Sequence, residues 1–132
     1  MNSVVHFEVP FDDAERAQKF YENVFGWNIS KVPMPGGDPY YIATTAPTNE
    51  KTHMIEKPGA INGGLTKRAP KEQGENTVIV INVPSVSDAI AGAEKNGGKL
   101  VMSKVEIMGM GLYARVKDSE GNVVGLWEDI KK

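Results

Sequence analysis

The chain has 132 residues, 40% of them hydrophobic and 24% charged, with a formal net charge of −2 and no cysteine. That is the profile of one globular domain with a real core. The 15 basic residues lie scattered among 17 acidic ones, which excludes an electrostatic footprint for nucleic acid or anionic lipid; no apolar run nears the ~20 residues of a membrane helix, and disulfides and thiolate chemistry are excluded outright. The opening MNSVVHFEVP lacks the basic and apolar regions of a signal peptide, so a cytoplasmic location is expected.

The first predicted element is the strand VVHFEVP, residues 4–10. Successive side chains of an extended chain alternate, so Val5, Phe7 and Val9 share one face while His6, Glu8 and Pro10 share the other. The next stretch, FDDAERAQKFYENVFGW, reads as a helix capped by Asp12 or Asp13, with Ala14, Ala17, Phe20, Tyr21, Val24 and Phe25 at helical spacing and Gly26 as its stop. WNISKV and YYIATT follow as strands around the turn PMPGGDP. Residues 46–62 read as a long polar loop leading through two glycines into the short strand GGLTKR, whose Lys67 and Arg68 form a solvated tip.

The second half repeats this order. NTVIVINVP is a strand and SVSDAIAGAEKNGG a helix, with Ser85 and Asp88 in a capping box and Gly97 and Gly98 as its stop. KLVMSKV, GLYARVKD and VVGLWED then read as strands, the last entered through the turn SEGN. The predicted fold is therefore α+β: two βαβββ modules, about 1–70 and 71–132, within one domain. Their strands would form a curved mixed sheet with a helix backing each module. The face of His6 and Glu8 would line its concave side, and polar groups set among apolar ones in a concavity suit a small ligand.

VVHFEVPFDDAERAQKFYENVFGW, the INGGL strand start and the DSEGNVVGLWE ending resemble the vicinal oxygen chelate superfamily, which includes glyoxalase I, extradiol dioxygenases and bleomycin resistance proteins. The likeness runs over almost the whole chain, and these motifs are similar to a glyoxalase-related branch. It implies a homodimer. It also implies a divalent metal (Ni, Zn, Mn, Co or Fe) held by ligands from the first and last strands of each half. His6 fills the first of those positions, but the others fall at or near Val78, at Gly125, and in GGLTKR, which has no carboxylate or histidine. With one position of four filled the ligand set is incomplete, since such a site needs about three or four donors. Glu128 lies an odd number of residues from Gly125 and so on the opposite face; only a bulge near Gly125 would bring it round as a partner for His6.

Residue by residue, functional and structural readings stand side by side. His6 and Glu8 are candidates for catalysis, a pair in which the carboxylate raises the imidazole pKa and proton transfer becomes available, or else a structural pair. On GLYARVKD, Tyr113, Arg115 and Lys117 share a face, and Arg115 either meets an anionic ligand or forms a salt bridge. Trp127, Tyr113 and Tyr41 (or Tyr40) are candidates for an aromatic wall or for core, and Met108 and Met110 for an apolar loop that closes over a ligand or for packing. His53 sits in a charged loop and is read as solvated. Two functions follow. One is an enzyme related to lactoylglutathione lyase acting on a small metabolite; the other is a metal-free small-molecule binder of the drug-resistance kind. The sequence leaves ligand, reaction and metal open.

Overall fold

A computed structural model describes residues 1–130. The chain divides into two compact units, one spanning His6–Arg68 and the other made of Met1–Val5 with the chain from Ala69 onward. The first five residues group with the later unit, where the Ser3 carbonyl accepts the Asn82 N–H at 2.9 Å.

The unit His6–Arg68 contains β1 (Val4–Phe11, save its first two residues), α1 (Ala14–Phe25), β2 (Asn28–Val32), β3 (Tyr40–Thr44) and β4 (Asn62–Lys67), with strands ordered β2-β3-β4-β1. β1 and β4 are parallel, and the other pairs antiparallel. Asp13 begins α1 by accepting the Arg16 N–H at 2.9 Å, and Gly26 ends it at φ 72, a left-handed conformation that costs glycine nothing. The apolar face of β1 packs as its alternation predicts: Phe7, Val9 and Phe11 join Ile29, Ala43 and Leu65 in one core with Ala17 and Tyr21 of α1. Val5 stays 41% exposed and is not part of that core. Phe20, Val24 and Phe25, part of the predicted apolar stripe of α1, are each more than half exposed.

The two glycines of β4 serve opposite faces. A Cβ at Gly63 would strike the Phe7 ring on the core side, and one at Gly64 would strike the Tyr40 hydroxyl on the other.

The later unit adds α2 (Lys71–Gly74), β5 (Val78–Asn82), α3 (Val86–Lys95), β6 (Lys99–Ile107), β7 (Gly111–Lys117) and β8 (Val123–Asp129), with strands ordered β5-β8-β7-β6. β5 and β8 are parallel, as β1 and β4 are. Ser85 caps α3 by accepting the Asp88 N–H at 3.1 Å. Val83, Val86, Ala114, Val116 and Leu126 form its buried core, with Ile81, Ile90 and Leu112 packed against them. Each unit is thus a βαβββ module and the fold is α+β, as expected. The four-residue α2 was not foreseen.

The registers match the two modules residue by residue. In the first, Glu8 and Ile42 both face Gly64; in the second, Val80 and Arg115 both face Gly125. His6 therefore corresponds to Val78, two residues earlier on its strand, and Tyr40 corresponds to Tyr113.

Candidate functional site

In the first module β1 brings His6 and Glu8 to the face away from α1. Glu8 is buried, 8% exposed, and His6 is half-buried. Neighbouring strands lie ~4.8 Å apart, so β3 and β1, with β4 between them, are about two spacings apart. Tyr40 crosses that gap. Its ring leans over Gly64, and its hydroxyl oxygen stops 2.7 Å from His6 Nε2, the two rings nearly parallel at 18°.

Burial holds the His6 pKa below its ordinary 6.5, and the opposing pull of the Glu8 charge is the smaller effect. The sequence reading expected the carboxylate to dominate and raise it. Alternation along a strand places the two groups on one face but does not reveal how much solvent that face loses. The imidazole is consequently neutral at pH 7 and can accept or donate one hydrogen bond at each nitrogen.

The second module repeats the device with a different partner. Tyr113 leans over Gly125 as Tyr40 leans over Gly64. Val78 stands where His6 stands in the first module, so no imidazole is present, and the Tyr113 hydroxyl instead accepts from Arg115 Nε at 2.8 Å. Arg115 is only 6% exposed, and its Nη1 donates to the Gln73 carbonyl at 2.8 Å. The guanidinium lies against the backbone of Gly74, whose φ of 107 and closeness to Nη1 disfavour any side chain there. Arg115, read from the sequence as meeting an anionic ligand or forming a salt bridge, here ties the α2 turn to β7 through these two hydrogen bonds.

Other candidates lie elsewhere. Tyr41 faces the core beneath α1, edge-on to Phe11 at 5.5 Å, and Tyr40 takes the polar face in its place. Trp127 shares the face of Tyr113 and Gly125, lies across Gly111, and donates Nε1–H to Asp129 Oδ1 at 2.8 Å. Met108 and Met110 are exposed, 56% and 63%, in the β6–β7 turn, which the Met110 N–H closes onto the Ile107 carbonyl. His53 is exposed at φ 60.

Glu128 stays on the face opposite Gly125, as its spacing predicts, and is not brought round to His6. The β7–β8 register runs without a shift from Gly111 to Lys117, so no bulge turns the strand. Glu128 keeps the face of Leu126, beneath α3, and its Oε1 accepts the Val86 N–H at 2.7 Å at the helix start. Among the described residues no group of three or more His, Asp or Glu stands close enough to hold a metal ion. Two open grooves of about 320 Å3 each, one beside the start of α1 and one beside the end of α3, include neither His6 nor Glu8.

Comparison with known proteins places this geometry in context. A family model for the N-terminal part of bleomycin resistance protein-like chains matches residues 3–37. A glyoxylase-like domain-containing protein of Didymella fabae is 31% identical over 119 residues, covering 87% of this chain and 84% of that one. CFP32 of Mycobacterium tuberculosis, provisionally named a glyoxylase, is 28% identical over 117 residues, covering 88% of this chain but 41% of that protein. The chain therefore spans about two-fifths of the mycobacterial relative. Among solved structures, BH1468 from Bacillus halodurans superposes with a TM-score of 0.68 at 15% identity, over 99% of this chain and 96% of that one. A glyoxalase/bleomycin resistance protein/dioxygenase superfamily member from Vibrio splendidus does so at 0.61 and 13%, over 98% and 100%. Likeness at such low identity speaks to the fold.

Proposed function

The chain belongs to the vicinal oxygen chelate superfamily as one of its glyoxylase-like domains, and on that premise we propose that it binds a small oxygenated metabolite at His6, without a resident metal ion. One observation carries the reading: a half-buried imidazole, kept neutral by burial, is held 2.7 Å from a tyrosine hydroxyl on the strand face that also buries Glu8. A neutral imidazole beside a carboxylate can take up a proton and keep the resulting charge compensated. A purely structural face would more economically be filled with aliphatic side chains, as Val78 and Val80 fill the matching positions of the second module.

The donor set does not fit the metal that the family resemblance implies. His6 is the one imidazole or carboxylate among the four positions; Val78 is aliphatic, and Gly125 and its register counterpart Gly64 have no side chain. The space above each of those glycines is taken by a tyrosine. Glu128 is engaged at the start of α3. Two or three further oxygen or nitrogen donors at ~2.0–2.2 Å would be required, so no step is routed through a metal.

The reading is tested by a thermal-shift panel of small aldehydes, keto acids and thioester or glutathione conjugates, run in chelator on wild type and His6→Ala. A stabilising hit lost in His6→Ala, whose own melting temperature stays within a few degrees of wild type, supports it. Hits that survive His6→Ala move the ligand elsewhere. Turnover assays of the lactoylglutathione lyase type on each hit then separate an enzyme from a binder.

A further inference from the structure

We propose that Tyr40 acts on His6 as a positioning residue: its hydroxyl donates to Nε2, fixes the ring as the tautomer protonated at Nδ1, and is the group through which Nε2 gains a proton. This deepens the reading above, on whose choice of His6 it rests.

The argument starts from the backbone. A tyrosine on β3 reaches β1 only by passing over β4, and it can do so because β4 has glycine at position 64, where a Cβ would collide with the hydroxyl itself. The second module builds the same bridge at the same register position with Tyr113 over Gly125, although Val78 offers it no imidazole. The scaffold thus fixes the phenol independently of His6, and the histidine is placed to use it.

The two bridges differ in polarity. A guanidinium has no acceptor, so at Arg115 the phenol oxygen must accept. At His6 the partner has a basic nitrogen, and a phenol is a far stronger acid than the N–H of a neutral imidazole, so there the phenol donates. A solvated, neutral histidine side chain prefers its proton on Nε2; donation by Tyr40 reverses that preference.

The arrangement dictates how His6 is charged. With Nδ1 already protonated, the incoming proton must arrive at Nε2, where the Tyr40 hydroxyl stands. An acidic ligand X–H gives its proton to the phenol oxygen as the phenol O–H breaks and an N–H forms on Nε2. The products are the ligand anion and an imidazolium with Glu8 on the same strand face, and Tyr40 ends as it began. Protons and charge balance without a further reactant.

The test uses the unliganded 132-residue chain, so its outcome is independent of whether a ligand is found. Imidazole nitrogen-15 NMR at neutral pH should show His6 with a protonated Nδ1 and a hydrogen-bonded, unprotonated Nε2. Acid titration should then protonate Nε2 in one step. Tyr40→Phe keeps the ring and its burial but removes the hydroxyl; it should return the proton to Nε2 and move the titration midpoint up by roughly half a pH unit or more, the size expected for losing one hydrogen bond to the neutral form. Gly64→Ala, which keeps the hydroxyl but displaces it, should do the same. A wild-type ring protonated at Nε2, or a tautomer and midpoint unchanged in Tyr40→Phe, would overturn the proposal. If the signature holds and the metabolite panel is empty, the functional reading and the ligand-to-His6 relay fail, while the Tyr40–Nε2 hydrogen bond and the tautomer it fixes stand.

Discussion

Replacing Arg115 tests whether this side chain is a structural tie or a ligand contact. Its guanidinium is 6% exposed, with Nε on the Tyr113 hydroxyl and Nη1 on the Gln73 carbonyl, both at 2.8 Å. Hydrogen bonds from a charged donor contribute about 1.5–3 kcal/mol each, and an acceptor stranded in a buried place costs its desolvation. Arg115→Ala strands both acceptors and is expected to cost roughly 3–5 kcal/mol. Arg115→Lys offers a single ammonium that cannot fork between two acceptors facing different directions, so about 2–3 kcal/mol is expected to be lost. Urea denaturation followed by far-ultraviolet circular dichroism measures both, with the slope unchanged if only stability has moved. A ligand-contacting arginine gives the opposite pattern, near-normal stability and lost binding. An Arg115→Ala protein within about 1 kcal/mol of wild type would refute the structural reasoning.

Three further outcomes are expected. Because burial depresses the His6 pKa, the unfolded chain binds a proton there more tightly than the folded one; the contribution to stability is full above pH 6.5 and is lost as pH falls through the folded value. The melting temperature of wild type should therefore decline more steeply than that of His6→Gln between about pH 6.5 and 5, and parallel curves would contradict this. Glu128→Ala should cost about 0.5–2 kcal/mol through loss of the acceptor for Val86 N–H, whereas Glu128→Gln, which retains an acceptor oxygen, should lose less; equal losses in a denaturant titration would point to the charge rather than the hydrogen bond. Leu65→Ala, at a site 1% exposed at the centre of the first core, should cost about 2–5 kcal/mol by the same measurement, and a loss below that range would mean the core collapses around the gap.

Much of the fold was legible because it is written in local rules. Asp13 and Ser85 cap helices by contacts three residues away, and the alternation in β1 and β7 sorts Phe7 from His6 and Ala114 from Arg115 wherever one face is buried. The repeat was legible as an order of elements, and register then made it residue-exact, pairing His6 with Val78 and Gly64 with Gly125. What escaped depends on contacts distant in sequence. Two adjacent tyrosines, 40 and 41, give no local hint of which faces the core; the glycine that seats Tyr40 lies 24 residues later, although the GG pair in INGGL was the signal that could have found it. Likewise α2 is one turn long with no periodicity, and only its carbonyl explains where Arg115 goes. The match of Glu128 to Val86 spans 42 residues.

The central claim, a His6-centred site that works without a resident metal, is tested most directly by elemental analysis of the purified protein combined with thermal shifts on adding nickel, zinc, manganese or cobalt to wild type and His6→Ala. The account predicts no near-stoichiometric metal and no shift that depends on His6. Metal at near one equivalent, or a stabilisation abolished in His6→Ala, would contradict it and return the protein to the chelating mechanism of its superfamily.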